Sequence, residues 1–168
     1  MGIEDIASRY GVEVLRVGSD HQAMMQARRV AGVRFVGGTR GGFIFPEFQT
    51  GADGNFAAVK ILEMMAKARV RLSDLRRKFE GYYRQSVSVP CPWAKKGTVM
   101  RRLNTETVGR ERVLVDGVRI KEDGGWVLIT PDRLKASFNV LAESTSQKDT
   151  SKLIDRYQTL VGKWRDDD

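Results

Sequence analysis

The sequence reads GGFIFPEFQTGADG over residues 41–54 and continues directly into a helical pattern over residues 55–68. A glycine-rich loop, a short apolar strand, a corner containing Pro46 and a helix follow one another within this stretch. Asp53 is a favourable N-cap, because its side chain can accept a hydrogen bond from the first helical turn. The stretch therefore predicts a strand, a turn and a capped helix of an α/β domain.

The residues before this stretch predict a strand–helix–strand unit. Residues 3–10 have the pattern of a short helix, residues 12–17 alternate as a strand, residues 20–30 form a helix, and residues 33–36 form a second strand. Short connections of this kind favour a parallel α/β arrangement. Two strands are fewer than a doubly wound layer normally has. We therefore expect that part of this layer is missing from the chain.

The helix that Asp53 caps is unusually apolar. Ala57, Ala58 and Ile61 widen its apolar side, which predicts burial on more than one face. A second helix follows and is predicted to end at Gly81. We place a domain boundary after it, so that residues 1–80 and 84–165 form two domains.

The second domain is predicted to be α+β. The expected elements are a strand at 86–90, a helix at 93–105, two strands flanking Asp116-Gly117, strands at 126–129 and 138–142, and a helix capped by Ser146. The last helix has a single apolar stripe, formed by Leu153, Ile154, Tyr157, Leu160, Val161 and Trp164. This order of elements predicts an antiparallel sheet with helices on one face.

Composition limits the classes of function. The 168 residues carry a formal net charge of +8, which favours anionic partners. The single Cys91 cannot form an internal disulfide, which indicates the cytoplasm. With one cysteine and one histidine, His21, a Cys/His zinc site is excluded. We expect no membrane partner, because no apolar run reaches the length of about 18 residues that a bilayer requires.

Three segments resemble the α-D-phosphohexomutase family, which includes phosphomannomutases and phosphoglucomutases. They are the stretch at 41–54, Asp116-Gly117-Val118-Arg119-Ile120, and Gly125-Trp126-Val127-Leu128-Ile129. Members of this family have four domains. The resemblance implies that residues 1–80 are the C-terminal part of the third domain, of α/β class, and that residues 84–165 are the fourth domain.

Two runs resemble a narrower group within that family. CPWAKKGTVMR at 91–101 and FIFPEFQ at 43–49 are similar to the mutase-like half of bifunctional mannose-1-phosphate guanylyltransferase/phosphomannomutase proteins. In such proteins a nucleotidyltransferase domain precedes the mutase-like region.

The resemblance implies that catalysis depends on residues outside this chain. The family interconverts hexose 1- and 6-phosphates with a phosphoserine in its first domain and magnesium held by an aspartate loop in its second. Phosphoryl transfer needs a positioned donor and charge neutralisation. We therefore expect no catalytic residue and no cofactor in this chain, with magnesium in the full-length parent.

The residues expected to contact substrate lie in two loops. The family's third-domain loop usually reads Gly-Glu-Glu-Ser-Gly-His, and here the corresponding residues 37–42 read GGTRGG. The candidate sugar contacts are Gly38, Thr39, Arg40 and Gly41. The fourth-domain loop usually reads Arg-Pro-Ser-Gly-Thr-Glu-Pro, and here TPDRLKA at 130–136 keeps only the proline. Arg133 and Lys135 are the candidate phosphate contacts.

Each of these assignments has a simpler structural alternative. The glycine run could be a flexible surface loop, and Arg133 and Lys135 could be solvated charges. We interpret His21 as a solvated residue and Cys91 as a structural thiol. The basic residues of 67–84 are interpreted as a solvated or docking face rather than a nucleic-acid surface.

The sequence therefore predicts a substrate-binding portion of a phosphohexomutase-like protein that is inactive in isolation. The alternative is a non-catalytic regulatory or scaffold module attached to a sugar-nucleotide nucleotidyltransferase. The expected partners are a hexose phosphate and the remaining domains of the parent. An exposed sheet edge would in addition favour an oligomer.

Overall fold

The structure is a computed structural model that describes residues 2–38, 41–77 and 79–167. Its helices are α1 (Gly2–Arg9), α2 (His21–Ala27), α3 (Gly54–Ala68), α4 (Leu72–Arg77), α5 (Lys96–Glu106) and α6 (Gln147–Asp166), and a 3-10 turn at Trp93–Lys95 precedes α5. Its strands are β1 (Tyr83–Pro90), β2 (Arg112–Val113), β3 (Val118–Glu122), β4 (Gly125–Pro131) and β5 (Ser137–Ser144). The chain divides into two compact units, one formed by residues 1–14 with 81–168 and the other by residues 15–80.

The larger unit is built on a five-stranded antiparallel sheet with the strand order β1-β5-β4-β3-β2. Alternate residues of β4 and β5 are buried, as a half-covered sheet requires. Val127 and Ile129 of β4, with Phe138 and Val140 of β5, are fully buried on the same face. The predicted antiparallel α+β domain is confirmed.

Helices α5 and α6 cover this buried face. The N-cap of α6 is Ser146, whose side chain accepts a hydrogen bond from the backbone N–H of Asp149. Five of the six residues predicted to form its apolar stripe are buried and Leu160 is partly buried against the same core. The helical period of the sequence thus identified the face that packs on the sheet.

Helix α1 belongs to the unit that contains the sheet. The backbone N–H of Gly2 donates to Glu143 Oε1 at 3.1 Å, and Glu4 forms an ion pair with Arg119 at 3.1 Å. The hydroxyl of Tyr82 donates to Asp5 Oδ2 at 2.8 Å. The helix predicted at 3–10 is therefore present. The division into domains 1–80 and 84–165 stays a prediction.

The unit of residues 15–80 has a small apolar core and little β-structure. Its buried residues include Met24, Val36 and Ile44, and Val36 and Ile44 form an isolated antiparallel bridge. The strands predicted at 12–17 and 33–36 are wrong, since the first range forms no strand and the second contributes only this bridge. Alternating residues form a strand only where a neighbour completes the hydrogen bonds, and the described residues of this unit supply no such neighbour.

Helix α3 begins at the predicted N-cap, where Asp53 Oδ1 accepts the N–H of Phe56 at 2.8 Å. Its predicted burial on more than one face is wrong. Among the described residues α3 buries Ala57 alone, while Val59 and Leu62 are each 63% exposed. The apolar side of α3 therefore faces solvent in the described part of the chain.

None of the helices within the described residues has both the length and the apolar character needed to cross a membrane.

Candidate functional site

The first candidate loop, residues 37–43, joins the two residues of the bridge in the 15–80 unit. Val36 and Ile44 exchange backbone hydrogen bonds, with N···O distances of 3.0 Å and 2.8 Å. Both side chains are buried beside Met24. The two ends of the loop are therefore fixed by backbone pairing and by the small apolar core.

The described glycines of this loop are exposed except for Gly38, which is half-buried. The N–H of Gly41 donates to the carbonyl of Gly38 at 3.1 Å. Gly41 and Gly42 have φ values of +89° and +78°, a region that glycine enters without steric cost. The other two predicted sugar contacts, Thr39 and Arg40, lie outside the described residues. Gly41 permits a close approach of a ligand to the backbone, because a Cβ atom there would meet nothing within 4 Å.

The second candidate loop, between β4 and β5, is closed by its own aspartate. Asp132 Oδ1 accepts the backbone N–H groups of Leu134 at 2.8 Å and Lys135 at 3.0 Å, and Oδ2 accepts from the Asn139 amide at 3.3 Å. The amide of Leu134 above all holds the pKa of the Asp132 carboxyl below its ordinary value. A carboxylate thus occupies N–H groups that an anionic ligand could otherwise use.

The two predicted phosphate contacts lie on this loop with exposed side chains. Arg133 is 72% exposed and its guanidinium lies 3.5 Å from Asp116 Oδ1. The side chain of Lys135 is also exposed. Both charges are thus accessible to an anion, although Arg133 already has an acidic neighbour. An exposed ion pair of this kind contributes little stability and is easily exchanged for another partner.

Lys96 is a residue of this loop region that the sequence did not identify. It is 9% exposed, and its ammonium donates to the carbonyls of Asp132 and Lys135, the latter at 2.6 Å. The ammonium also lies 3.6 Å from the centroid of the Trp93 ring. Lys96 therefore fastens the first turn of α5 to the loop. The sequence shows adjacent lysines at 95 and 96 and has no signal that distinguishes the inward one.

Of the two residues with nucleophile or base chemistry, Cys91 adjoins the loop between β4 and β5, where its backbone N–H donates to the carbonyl of Ala136 at 2.8 Å. Cys91 is buried, and burial raises the pKa of its thiol, so the reactive thiolate is disfavoured. His21 is the exposed first residue of α2 in the other unit.

No candidate metal site is present among residues 2–38, 41–77 and 79–167. These residues contain no group of three or more His, Cys, Asp or Glu side chains that could hold a metal ion. The donor set of the described residues thus does not fit a magnesium site, which the family resemblance places in the full-length parent.

A partly buried ionic cluster lies beside two open clefts of about 430 and 440 Å³ in the larger unit. The Glu122 carboxylate accepts from the hydroxyl of Tyr157 and pairs with Arg110 at 2.7 Å. Although burial acts to raise it, these two hydrogen bonds hold the pKa of Glu122 below its ordinary value. The cluster joins three distant segments of sequence, and no local pattern could have predicted it. Neither cleft is lined by a predicted site residue.

Comparison with protein families gives a match to the first part of the chain. Residues 1–82 match the family described as "Phosphoglucomutase/phosphomannomutase, alpha/beta/alpha domain III". The matched domain is an α/β domain, which confirms the class predicted for this part, although, as β-structure, its described residues form only the isolated bridge between Val36 and Ile44.

Curated relatives extend the likeness over most of the chain. A probable phosphoglucosamine mutase of Methanosarcina barkeri (strain Fusaro / DSM 804) is 29% identical over 84% of this chain and 32% of its own length. A probable phosphoglucosamine mutase of Methanopyrus kandleri is 30% identical over 96% of this chain and 36% of its own length. The chain thus spans about a third of the length of these relatives.

One solved structure has the same fold. A phosphoglucomutase/phosphomannomutase family protein from Burkholderia thailandensis superposes on 98% of this chain and 35% of its own length, with a TM-score of 0.80 and 17% sequence identity. At that identity the likeness concerns the fold.

Proposed function

We propose that this chain is the C-terminal substrate-binding portion of a hexose-phosphate mutase. The comparisons support membership of the α-D-phosphohexomutase family, on which this proposal is based. The observation that carries the proposal is the mutase likeness over 84–96% of the chain, together with two exposed basic side chains on the loop between β4 and β5. Intramolecular phosphotransfer belongs, in this proposal, to a longer protein that supplies the phosphoserine and magnesium. The chain by itself is not catalytic.

Arg133 and Lys135 are the proposed phosphate contacts. Their exposed cations favour a doubly charged phosphate, and a guanidinium can bind two phosphate oxygens at once. In the other unit, the loop with Gly38, Thr39, Arg40 and Gly41 is the proposed sugar contact. Backbone N–H groups of a glycine turn suit hydroxyl or phosphate oxygens.

The proposed ligand class is a hexose 1-phosphate or 6-phosphate. The names of the relatives add glucosamine phosphate to the mannose and glucose phosphates that the sequence suggested. The amino group of glucosamine carries a positive charge, so an acidic neighbour would favour it over the neutral sugars.

An NMR titration tests the proposal. We expect glucosamine 1-phosphate, mannose 1-phosphate or glucose 1-phosphate to shift the backbone amides of Arg133, Leu134 and Lys135 at millimolar concentration. The double variant Arg133→Ala/Lys135→Ala should weaken binding about tenfold or more, since two charge-assisted contacts are lost. Lys152→Ala is the matched control, because Lys152 is exposed on α6 of the same unit and pairs with Asp149.

A non-catalytic regulatory or scaffold module is the second candidate, and the geometry of Asp132 favours it. Its carboxylate occupies the N–H groups of Leu134 and Lys135, so a phosphate would have to displace it. The proposed parent begins with a sugar-nucleotide nucleotidyltransferase, on the resemblance of residues 91–101. The relatives named above are mutases. If no sugar phosphate shifts the loop amides at millimolar concentration, the module becomes the better account.

The remaining assignments are also proposals. We place the chain in the cytoplasm, and we propose the other domains of a full-length parent as its partners. The sequence of the full-length parent protein tests both candidate functions. A phosphoserine loop and an aspartate metal loop upstream support the mutase, and their loss beside a nucleotidyltransferase supports the module.

A further inference from the structure

The loop between β4 and β5 directs two backbone N–H groups at a single oxygen atom. Asp132 Oδ1 accepts from Leu134 at 2.8 Å and from Lys135 at 3.0 Å. Neighbouring backbone N–H groups that converge in this way are a common binding site for phosphate and other anions. The amide of Leu134 above all holds the pKa of the Asp132 carboxyl below its ordinary value, so the carboxylate is charged at neutral pH. The anion that these N–H groups bind in this chain is therefore a side chain of the same loop.

The position of these N–H groups does not depend on the side chain of Asp132. The Lys96 ammonium donates to the backbone carbonyls of Asp132 and Lys135, and the N–H of Cys91 donates to the carbonyl of Ala136 at 2.8 Å. Each of these contacts uses a backbone carbonyl of the loop. All three therefore remain when the carboxylate turns away, and the two N–H groups stay in place for another anion.

The charged groups that contact this loop favour such an anion. The side chains of Arg133 and Lys135 are exposed on the loop, and the Lys96 ammonium is bound to its backbone. The carboxylates are Asp132 itself and Asp116, which lies 3.5 Å from the Arg133 guanidinium. These three cations outnumber the two carboxylates, so an anionic ligand is attracted to the loop even while Asp132 is in place.

We propose that Asp132 is an internal competitor that sets how tightly the loop between β4 and β5 binds phosphate. This inference rests on the proposed function and names the residue that regulates its phosphate site. A ligand phosphate reaches the two N–H groups only while the carboxylate is away from them. The observed affinity is therefore lower than the intrinsic affinity by the fraction of molecules in which the carboxylate has left. Repulsion between the carboxylate and the phosphate lowers the affinity further.

The test measures the binding of inorganic phosphate to four forms of the 168-residue chain by NMR titration. Asp132→Ala removes both the charge and the acceptor oxygen, and should bind phosphate about tenfold more tightly than the wild type. Asp132→Asn removes the charge but keeps an oxygen that can accept the same N–H groups, so its affinity should lie between the two. Asp123→Ala is the matched control, because Asp123 is an exposed carboxylate in the turn between β3 and β4 of the same unit. It should change the affinity by less than about twofold.

The backbone amide of Cys91 reports whether the loop keeps its place in the variants. Its chemical shift should be the same in the wild type and in Asp132→Ala without ligand, since it donates to a carbonyl that the substitution leaves intact. If this amide shifts in Asp132→Ala, the loop has rearranged, and Asp132→Asn decides the comparison because it keeps the side-chain acceptor.

The possible outcomes separate this inference from the proposed function. If the wild type binds phosphate and the Asp132 variants bind it equally or more weakly, the competitor role is wrong and the proposed function stands. If the Asp132 variants bind phosphate and the wild type does not, the competitor role is supported and the proposed function of the native chain fails. Binding by none of the forms would overturn both.

Discussion

Gly117 shows that a turn can require glycine because there is no room for a side chain, rather than because of the backbone angle. The turn between β2 and β3 places the positive φ, +59°, on Asp116. A Cβ atom on Gly117 would lie 2.1 Å from the carbonyl oxygen of Ile129, a backbone atom of β4. Asp-Gly at this position thus marks the hairpin, as predicted, and its glycine also permits close contact with the neighbouring strand.

Gly117→Ala should therefore lower the free energy of unfolding by about 2–3 kcal/mol, because the backbone of β4 must move to admit the methyl group. Gly162→Ala on α6 is the matched control. A Cβ there meets nothing within 4 Å, and alanine favours a helix by up to about 1 kcal/mol over glycine. Urea unfolding followed by circular dichroism measures both variants. Equal stabilities of the two variants would contradict the close contact.

Tyr157 makes stability depend on pH above neutrality. Burial raises the pKa of its hydroxyl to about 12, against about 10 in an unfolded chain. The unfolded state therefore ionises first as pH rises. The stabilisation is fully present below pH 10 and is lost as pH rises through 12.

Tyr157→Phe tests this dependence. At pH 8 the variant should be less stable than the wild type by about 1–2 kcal/mol, because Glu122 and Arg110 each lose a hydrogen bond. The difference should shrink as pH rises from 10 to 12, since only the wild type has this hydroxyl to ionise. Unfolding curves in urea at a series of pH values give the comparison. A difference that stays constant over this range would contradict the raised pKa.

At the scale of elements, helix α6 tests whether the N-cap predicted from the sequence contributes to stability. Ser146→Ala removes the side chain that accepts the N–H of Asp149 at 3.3 Å. We expect a loss of about 1 kcal/mol in the free energy of unfolding, the usual cost of an N-cap. Gln147→Ala, at the exposed next position, should change stability by less than about half of that value. Thermal unfolding of both variants measures the contrast.

The elements that were predicted correctly are those whose pattern and packing partner both lie in the chain. The apolar stripe of α6 meets a sheet that residues 83–144 supply in full, so period and burial agree. The strand pattern at 12–17 has no neighbouring strand to pair with among the described residues. Periodicity reports how a segment would pack and says nothing about whether its partner is present.

The candidate site shows a similar limit. The basic side chains of Arg133 and Lys135 were apparent from the sequence because the family loop marks their position. Lys96 was not, because its role depends on carbonyls that lie about 36–39 positions away in the chain. Contacts at that separation leave no local pattern, and only the folded arrangement reveals them.

At the scale of the whole molecule, the exposed side of α3 predicts self-association. Val59 and Leu62 are each 63% exposed on a helix with few charges, and such surface is stabilised by contact with another apolar surface. Light scattering of the 168-residue chain should show a mass that rises with concentration. The double variant Val59→Gln/Leu62→Gln should remain monomeric, while Lys67→Gln on the same helix should behave as the wild type. A wild-type chain that is monomeric at every concentration would count against this prediction.

The strand order has a consequence for how the chain folds during its synthesis. Among the described residues, strand β1 pairs only with β5, in a register that joins Tyr83 to Ser144 and Pro90 to Ser137. The ribosome therefore releases β1 well before its partner exists, whereas β3 and β4 can pair as soon as they emerge. In the interval β1 is an unpaired strand on a growing chain. Its exposed side chains include the polar residues Arg84, Ser86 and Ser88 beside Tyr83 and Pro90, and these polar residues limit its tendency to pair with other nascent chains while it waits.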